Sequence, residues 1–153
     1  MAFYCVRKKV HWSDCDAAGI AWFPNYLGWF EDVEEELFTA ALGRSRQSLL
    51  DGEGVGMPRV EAHITYHAPV RIGTLLRIGV DPQIENPRRM RHVFEMWHDT
   101  SVRRVASGFV RVGCVSLSDF SPRDFPADVQ TFVDRIHVLA DLQGSGDAKM
   151  PWA

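Results

Sequence analysis

Between Tyr26 and Ala41 the apolar residues Tyr26, Phe30, Val33, Leu37 and Ala41 recur at steps of three or four, with Glu31, Asp32, Glu34, Glu35 and Glu36 between them. An apolar stripe at that period predicts a long amphipathic helix. Pro24 suits its first residue, where a missing N–H is harmless, and Gly43 suits its C-terminal stop. The helix is then about five turns long. Elsewhere the pattern changes. Residues 3–11, "FYCVRKKVH", are aromatic and β-branched with basic interruptions and read as a strand. Segments 58–69, 74–85, 91–100 and 103–117 are rich in Val, Ile, Thr, Phe and Trp, with turn signals at Pro69, Gly73, "ENPRR" and "DTS". Four more strands are expected there. A short helical turn and a glycine-rich connector occupy "RSRQSLLDGEGVGMP", and a second amphipathic helix is expected from Pro126 to Leu139. Residues 141–153 read as a polar tail that frays.

One strand, one long helix and then four consecutive strands describe an α+β protein rather than an alternating parallel one. The strands are expected to form an antiparallel sheet wrapped around the long helix. With no internal repeat and no linker, residues 1–140 read as a single domain.

Composition narrows the picture. A chain of 153 residues that is 46% hydrophobic and 24% charged suits one globular domain. The net charge of −3 gives no sign of a nucleic-acid partner. Cys5, Cys15 and Cys114 are odd in number, far apart and form no CxxC pair, so a reducing cytoplasm is the expected compartment. No apolar run follows Arg7, Lys8 and Lys9, so no signal peptide is expected. No uncharged stretch is long enough to span a bilayer, so no membrane partner is expected either.

The chemistry concentrates in "WSDCDAAGIAWFPNYLGWF", Trp12 to Phe30. A helix N-terminus carries free backbone N–H groups and a positive partial charge, so it can stabilise an oxyanion. Gly19 permits a tight approach, and Ala17 and Ala18 leave room for a ligand. Asp14 and Asp16 are held close to that helix start, where a carboxylate can attack a carbonyl or activate water. The same residues also suit plain turn and capping roles.

This stretch, extended to "DCDAAGIAWFPNYLGWFEDVEEELF", resembles the signature of the 4-hydroxybenzoyl-CoA thioesterase family, hotdog-fold acyl-CoA thioesterases with an aspartate before the central helix. The matching pattern is Asp-x-Asp-x-x-Gly, an aromatic pair, a small residue or proline, and Asn-Tyr opening the helix. The resemblance spans roughly residues 3–140 and is specific over 12–38. It implies a hotdog fold and hydrolysis of an acyl-CoA to a carboxylate and CoA, with no cofactor. It places the catalytic carboxylate, nucleophile or general base, on Asp16 and a loop-fixing role on Asp14. The oxyanion donor falls on the backbone N–H of Phe23. Family members commonly carry Tyr or His there, so this chain lacks that side chain for proton transfer. Glu31 falls where hydroxybenzoyl-type members carry an acid that reaches the ring substituent of a substrate held by the neighbouring subunit, which implies an aryl-CoA. Gly19 and Trp22 are expected to border the acyl group, and Trp22, Phe23, Trp29 and Phe30 either line a flat pocket or belong to the core. The resemblance also implies a homodimer or homotetramer that completes its sites at an interface. A non-catalytic acyl-CoA-binding subunit and a thioesterase for acyl carrier protein are the alternatives.

Outside this stretch, Arg88, Arg89 and Arg91 follow Pro87 where two strands turn, and resemble the nucleotide-binding patch of the family. They either clamp CoA phosphates or form a solvated turn. His63 and His67 share one strand face, and neither they nor Asp14 and Asp16 bring enough ligands for an expected metal site. "GEGVG", residues 52–56, lacks the Lys-Ser/Thr ending of a phosphate loop and reads as a connector.

Overall fold

A computed structural model of the chain describes residues 4–146. β1 (Tyr4–Lys9) leads through a 3₁₀ turn (Trp12–Asp14) to α1 (Asn25–Leu42). A short α2 (Gln47–Glu53) follows, then β2 (Val55–Gly56), β3 (Arg59–Tyr66), β4 (Leu75–Asn86), β5 (Arg89–His98), β6 (Arg104–Gly113), β7 (Val115–Ser116) and α3 (Ala127–Gly146). Five strands form one antiparallel sheet in the order β1-β4-β5-β6-β3. This is the hotdog arrangement the sequence led us to expect, with α1 held against one face of the sheet.

Alternation fixes which face of the sheet is buried. On β5, Met90, His92, Phe94 and Met96 point inward while Arg91, Val93, Glu95 and Trp97 are less buried. Leu76, Ile78 and Val80 of β4 and Val105, Val110 and Val112 of β6 continue the same layer. The apolar stripe of α1 meets it, and the rings of Phe30 and Phe94 stack 4.3 Å apart, 8° from parallel. Full burial of each such side chain contributes about 1.5–3 kcal/mol. α3 closes one end through Val129, Phe132 and Ile136, packing on α1, β1 and β4.

Several boundaries differ from expectation. Pro24 is the N-cap rather than the first helical residue, and Gly43 ends α1 in the left-handed region at φ 68°. The last expected strand splits at Cys114, because β7 leaves the main sheet to pair with β2. α3 continues to Gly146 instead of ending at Leu139. A helix already anchored by its packed first turns propagates cheaply through weak formers, so Gly144 did not stop it. From residue 147 on, the expected tail lies outside the described residues. No helix among the described residues is long and apolar enough to cross a membrane.

Candidate active site

The loop between β1 and α1 is built on Asp14. Its carboxylate accepts the His11 N–H at 2.7 Å and lies 3.2 Å from Lys8 Nζ. Its carbonyl accepts two donors that start the helix, the Trp22 N–H at 2.8 Å and Asn25 Nδ2 at 2.9 Å. Asp14 therefore ties both ends of the loop together, and its side chain is held on one oxygen by His11 and Lys8.

Asp16 stands differently. Its N–H donates to the Ile20 carbonyl at 2.9 Å, and its own carbonyl accepts the Gly19 N–H at 3.0 Å. Its Oδ1 accepts the Ala18 N–H at 2.8 Å, an Asx turn. The turn reading of this aspartate is thus correct, and it leaves Oδ2 without a donor among the described residues. The side chain is exposed and borders a cavity of about 430 Å³ with Trp12, Cys15, Ala17, Gly19 and Ile72. Gly19 turns the chain at φ 76°, while a Cβ there would meet nothing nearer than an Arg71 guanidinium nitrogen at 3.9 Å. Backbone conformation, not crowding, is what calls for glycine.

The helix start faces the same loop. The Trp22 carbonyl accepts the Asn25 N–H at 3.0 Å, closing the first turn, and Pro24 has no N–H to offer. The Phe23 N–H has no acceptor among the described residues. The Cys15–Ala21 bridge holds the strand pieces on either side of Asp16 against each other. A carboxylate oxygen and a backbone donor, both unengaged, thus lie on two segments stapled together.

The aromatic cluster divides. Trp29 and Phe30 are core, while Trp22 and Phe23 are exposed, Phe23 at 63% and nearby Trp12 at 81%. These exposed rings around one loop are not part of the core. Tyr66, which the sequence reading did not single out, donates its hydroxyl to the Phe23 carbonyl at 2.9 Å. It borders a second cavity of about 320 Å³ with Phe23, Tyr26, Ile20, His67 and Ala68. Burial, with Tyr66 and Cys15 nearby, pushes the Tyr26 phenol up to about 12. Tyr26 is buried among these rings.

Glu31 is committed to arginine. Its two oxygens lie 2.7 Å from Arg46 and 2.6 Å from Arg59, and about half of its side chain is exposed. The arginine hairpin is also where β4 and β5 turn, but at the far end of β4 from Asp16. Ile20 bridges Arg71, just before β4, while Arg88 and Arg89 follow its last residue. A 12-residue strand puts these points about 40 Å apart along the chain. Arg88 pairs with Asp124 at 2.8 Å, Arg89 is exposed, and the Arg91 guanidinium lies 4.1 Å from the Phe109 ring centroid. His63 stacks on Phe109, and His67 Nε2 lies 2.8 Å from the Ser107 hydroxyl. No group of three His, Cys, Asp or Glu among the described residues could hold a metal ion.

Residues 10–133 match the family model described as the thioesterase-like superfamily. The chain belongs to the thioesterase-like superfamily. It is 29% identical over 111 residues to a 1,4-dihydroxy-2-naphthoyl-CoA hydrolase of Thermosynechococcus vestitus, covering 72% of this chain and 75% of that one. It is 25% identical to an acyl-CoA thioesterase of Haemophilus influenzae, covering 80% and 88%. The fold superposes on a 1,4-dihydroxy-2-naphthoyl-CoA thioesterase from Synechocystis with a TM-score of 0.81, at 20% identity over 86% of this chain and 96% of that one. The family resemblance read from the loop and helix is borne out, and the reaction class of this thioesterase-superfamily member is thioester hydrolysis.

Among these structural features, one cluster was missed. Glu34 is only 2% exposed, although it stands among the five acids between the apolar positions of the helix. Its Oε1 lies 2.8 Å from Arg59 and 3.8 Å from Arg46, and its Oε2 lies 3.1 Å from His92 Nδ1. Burial alone would raise its pKa, but His92, Arg59 and Arg46 outweigh that and hold it at about 2. The signal was available: Glu34 is four residues after Phe30 and three before Leu37, on the buried stripe itself.

Proposed function

We propose that this protein hydrolyses an aryl-CoA thioester to the aryl carboxylate and CoA, with Asp16 as the reacting carboxylate and the Phe23 N–H as an oxyanion donor. The observation that carries it is the unengaged Asp16 Oδ2 beside a cavity, next to a helix start whose Phe23 N–H is also unengaged. Two courses fit this geometry. In one, the carboxylate attacks the thioester carbonyl, CoA leaves as the thiolate, and water opens the mixed anhydride. In the other, Asp16 takes a proton from water as the water attacks, and the tetrahedral intermediate expels the thiolate. In both, negative charge on the carbonyl oxygen is met by the Phe23 N–H. A thiolate leaves without protonation, which suits a site with no acid at the Phe23 side chain.

The aryl preference is supported by the exposed rings of Trp12, Trp22 and Phe23 around the loop, which offer flat apolar contact. The naphthoyl-CoA names of the relatives point the same way. Trp22 and Gly19 border the acyl group in this reading. Glu31 reaches a ring hydroxyl by exchanging one arginine contact for the substituent. The arginine hairpin, remote from Asp16 within one chain, serves CoA phosphates at the site of a second copy. The working form is therefore a homodimer, or a tetramer of two dimers, in the cytoplasm. The test is kcat/KM for hydroxynaphthoyl-, hydroxybenzoyl-, benzoyl-, butyryl- and palmitoyl-CoA, and for butyryl-acyl carrier protein, on the wild type and Glu31→Gln. We expect the hydroxyaryl substrates to lead and the mutant to lose part of that lead over benzoyl-CoA. A wild-type preference for alkyl chains or for the carrier protein would overturn the aryl-CoA reading.

A further inference from the structure

We propose that Asn25 is a positioning residue for this reaction, the joint that sets the Asp16 loop against the oxyanion donor. The inference rests on the reading of Asp16 and Phe23 above. Asn25 donates two hydrogen bonds, one from its backbone and one from its side chain. Its backbone N–H donates to the Trp22 carbonyl at 3.0 Å, and its side-chain Nδ2 donates to the Asp14 carbonyl at 2.9 Å. The Trp22 carbonyl belongs to the same peptide plane as the Phe23 N–H. The first bond therefore orients, and further polarises, the group assigned to meet the oxyanion. The second reaches back across 11 residues to the carbonyl two positions before Asp16.

The Asp14 carbonyl is shared with the Trp22 N–H at 2.8 Å, so two donors converge on one oxygen. Remove Nδ2 and the Trp22 bond still closes the loop, which is why the fold survives. What is lost is the second point that fixes rotation of the helix start relative to the loop. Asn25 is only partly buried and belongs to no apolar cluster, so its replacement creates no cavity. Tyr66 holds the next peptide, through the Phe23 carbonyl, and plays the lesser part because that peptide carries no N–H at Pro24.

The experiment uses the full chain and whichever acyl-CoA the wild type hydrolyses fastest, so it does not depend on the aryl preference. Asn25→Ala is expected to lower kcat about 10- to 100-fold with KM within about threefold and Tm close to wild type, since small misplacements of reacting groups are expensive. Asn25→Asp keeps the shape and adds a charge favoured at a helix N-terminus, but it turns an acceptor toward the Asp14 carbonyl. It is expected to lose at least as much kcat without losing Tm, and it carries the test alone if the alanine variant does not fold. Adding Asn25→Ala to Asp16→Asn is expected to cost less than about threefold more, because groups that act as a unit are not additive. Wild-type kcat in both Asn25 variants, or an undiminished loss on top of Asp16→Asn, overturns the proposal and leaves the assignment of Asp16 standing. Wild-type turnover by Asp16→Asn overturns that assignment and the role of Asn25 with it.

Discussion

Asp16 and Glu34 are carboxylates 18 residues apart that meet opposite environments. Asp16 sits on an exposed turn, takes one backbone hydrogen bond and borders a cavity. Glu34 lies inside the protein, gripped by Arg59, Arg46 and His92. The second arrangement is the stronger electrostatically, and for that reason it is poor chemistry. A carboxylate held at about 2 is a weak base. The difference teaches that an acid enclosed by cations is held in place by them, while the acid proposed to react keeps an oxygen without a donor among the described residues.

The largest expected effect comes from breaking the member proposed to react. Asp16→Asn should leave a folded protein whose kcat falls by on the order of 10³ or more, measured against wild-type hydrolysis of the best acyl-CoA. A folded mutant with ordinary turnover would reverse the contrast.

Glu34→Gln tests the other side, and here the readout is stability. Removing one partner of a buried pair should cost roughly 3 kcal/mol, about 6–12 °C in Tm for a chain of this size, with kcat of the folded protein kept within a few-fold. The sign of the pH dependence follows from the depressed pKa. A folded value near 2 against an ordinary 4.5 means the stabilisation is complete above pH 4.5 and drains away as pH falls towards 2. The gap in Tm between wild type and Glu34→Gln should therefore narrow through that window. A gap that stays constant down to pH 2.5 would show that Glu34 contributes by packing and not by charge.

The smallest effect is expected at the arginine hairpin, where the same contrast recurs among cations. Arg59 is used up by two partly or fully buried contacts to glutamates, whereas Arg89 is exposed and Arg88 pairs with Asp124 at the surface. Replacing Arg88 and Arg91 with Ala should raise KM about three- to tenfold and leave kcat nearly unchanged, since contacts remote from the thioester hold ground and transition states alike. The wild-type KM should also rise with salt, and the mutant's should rise less. Identical KM and salt response in both would leave the hairpin a solvated turn.

The long helix, the five strands of the main sheet and the site loop were legible because each depends on neighbours in the chain. Asx turns, a left-handed glycine and a helix start are made by residues within a few positions of one another. So the pattern from Asp14 to Tyr26 carries most of its own structure. Glu34 was misplaced for the opposite reason: five acids in six residues look like a solvated face until the inward side of β5 supplies His92 and β3 supplies Arg59.

By itself, then, the sequence determined the period of each element, the loop that presents Asp16 and the free N–H at the helix start, since short-range hydrogen bonding decides these. Tertiary structure alone decided three other things. It turned Tyr66, 43 residues away, onto the Phe23 carbonyl. It spent both oxygens of Glu31 on Arg46 and Arg59. It set the arginine hairpin a strand's length from Asp16. Tyr66 and Arg59 reach their partners from β3, whose register is set by which faces can be buried together, a property of the whole sheet and not of any one segment.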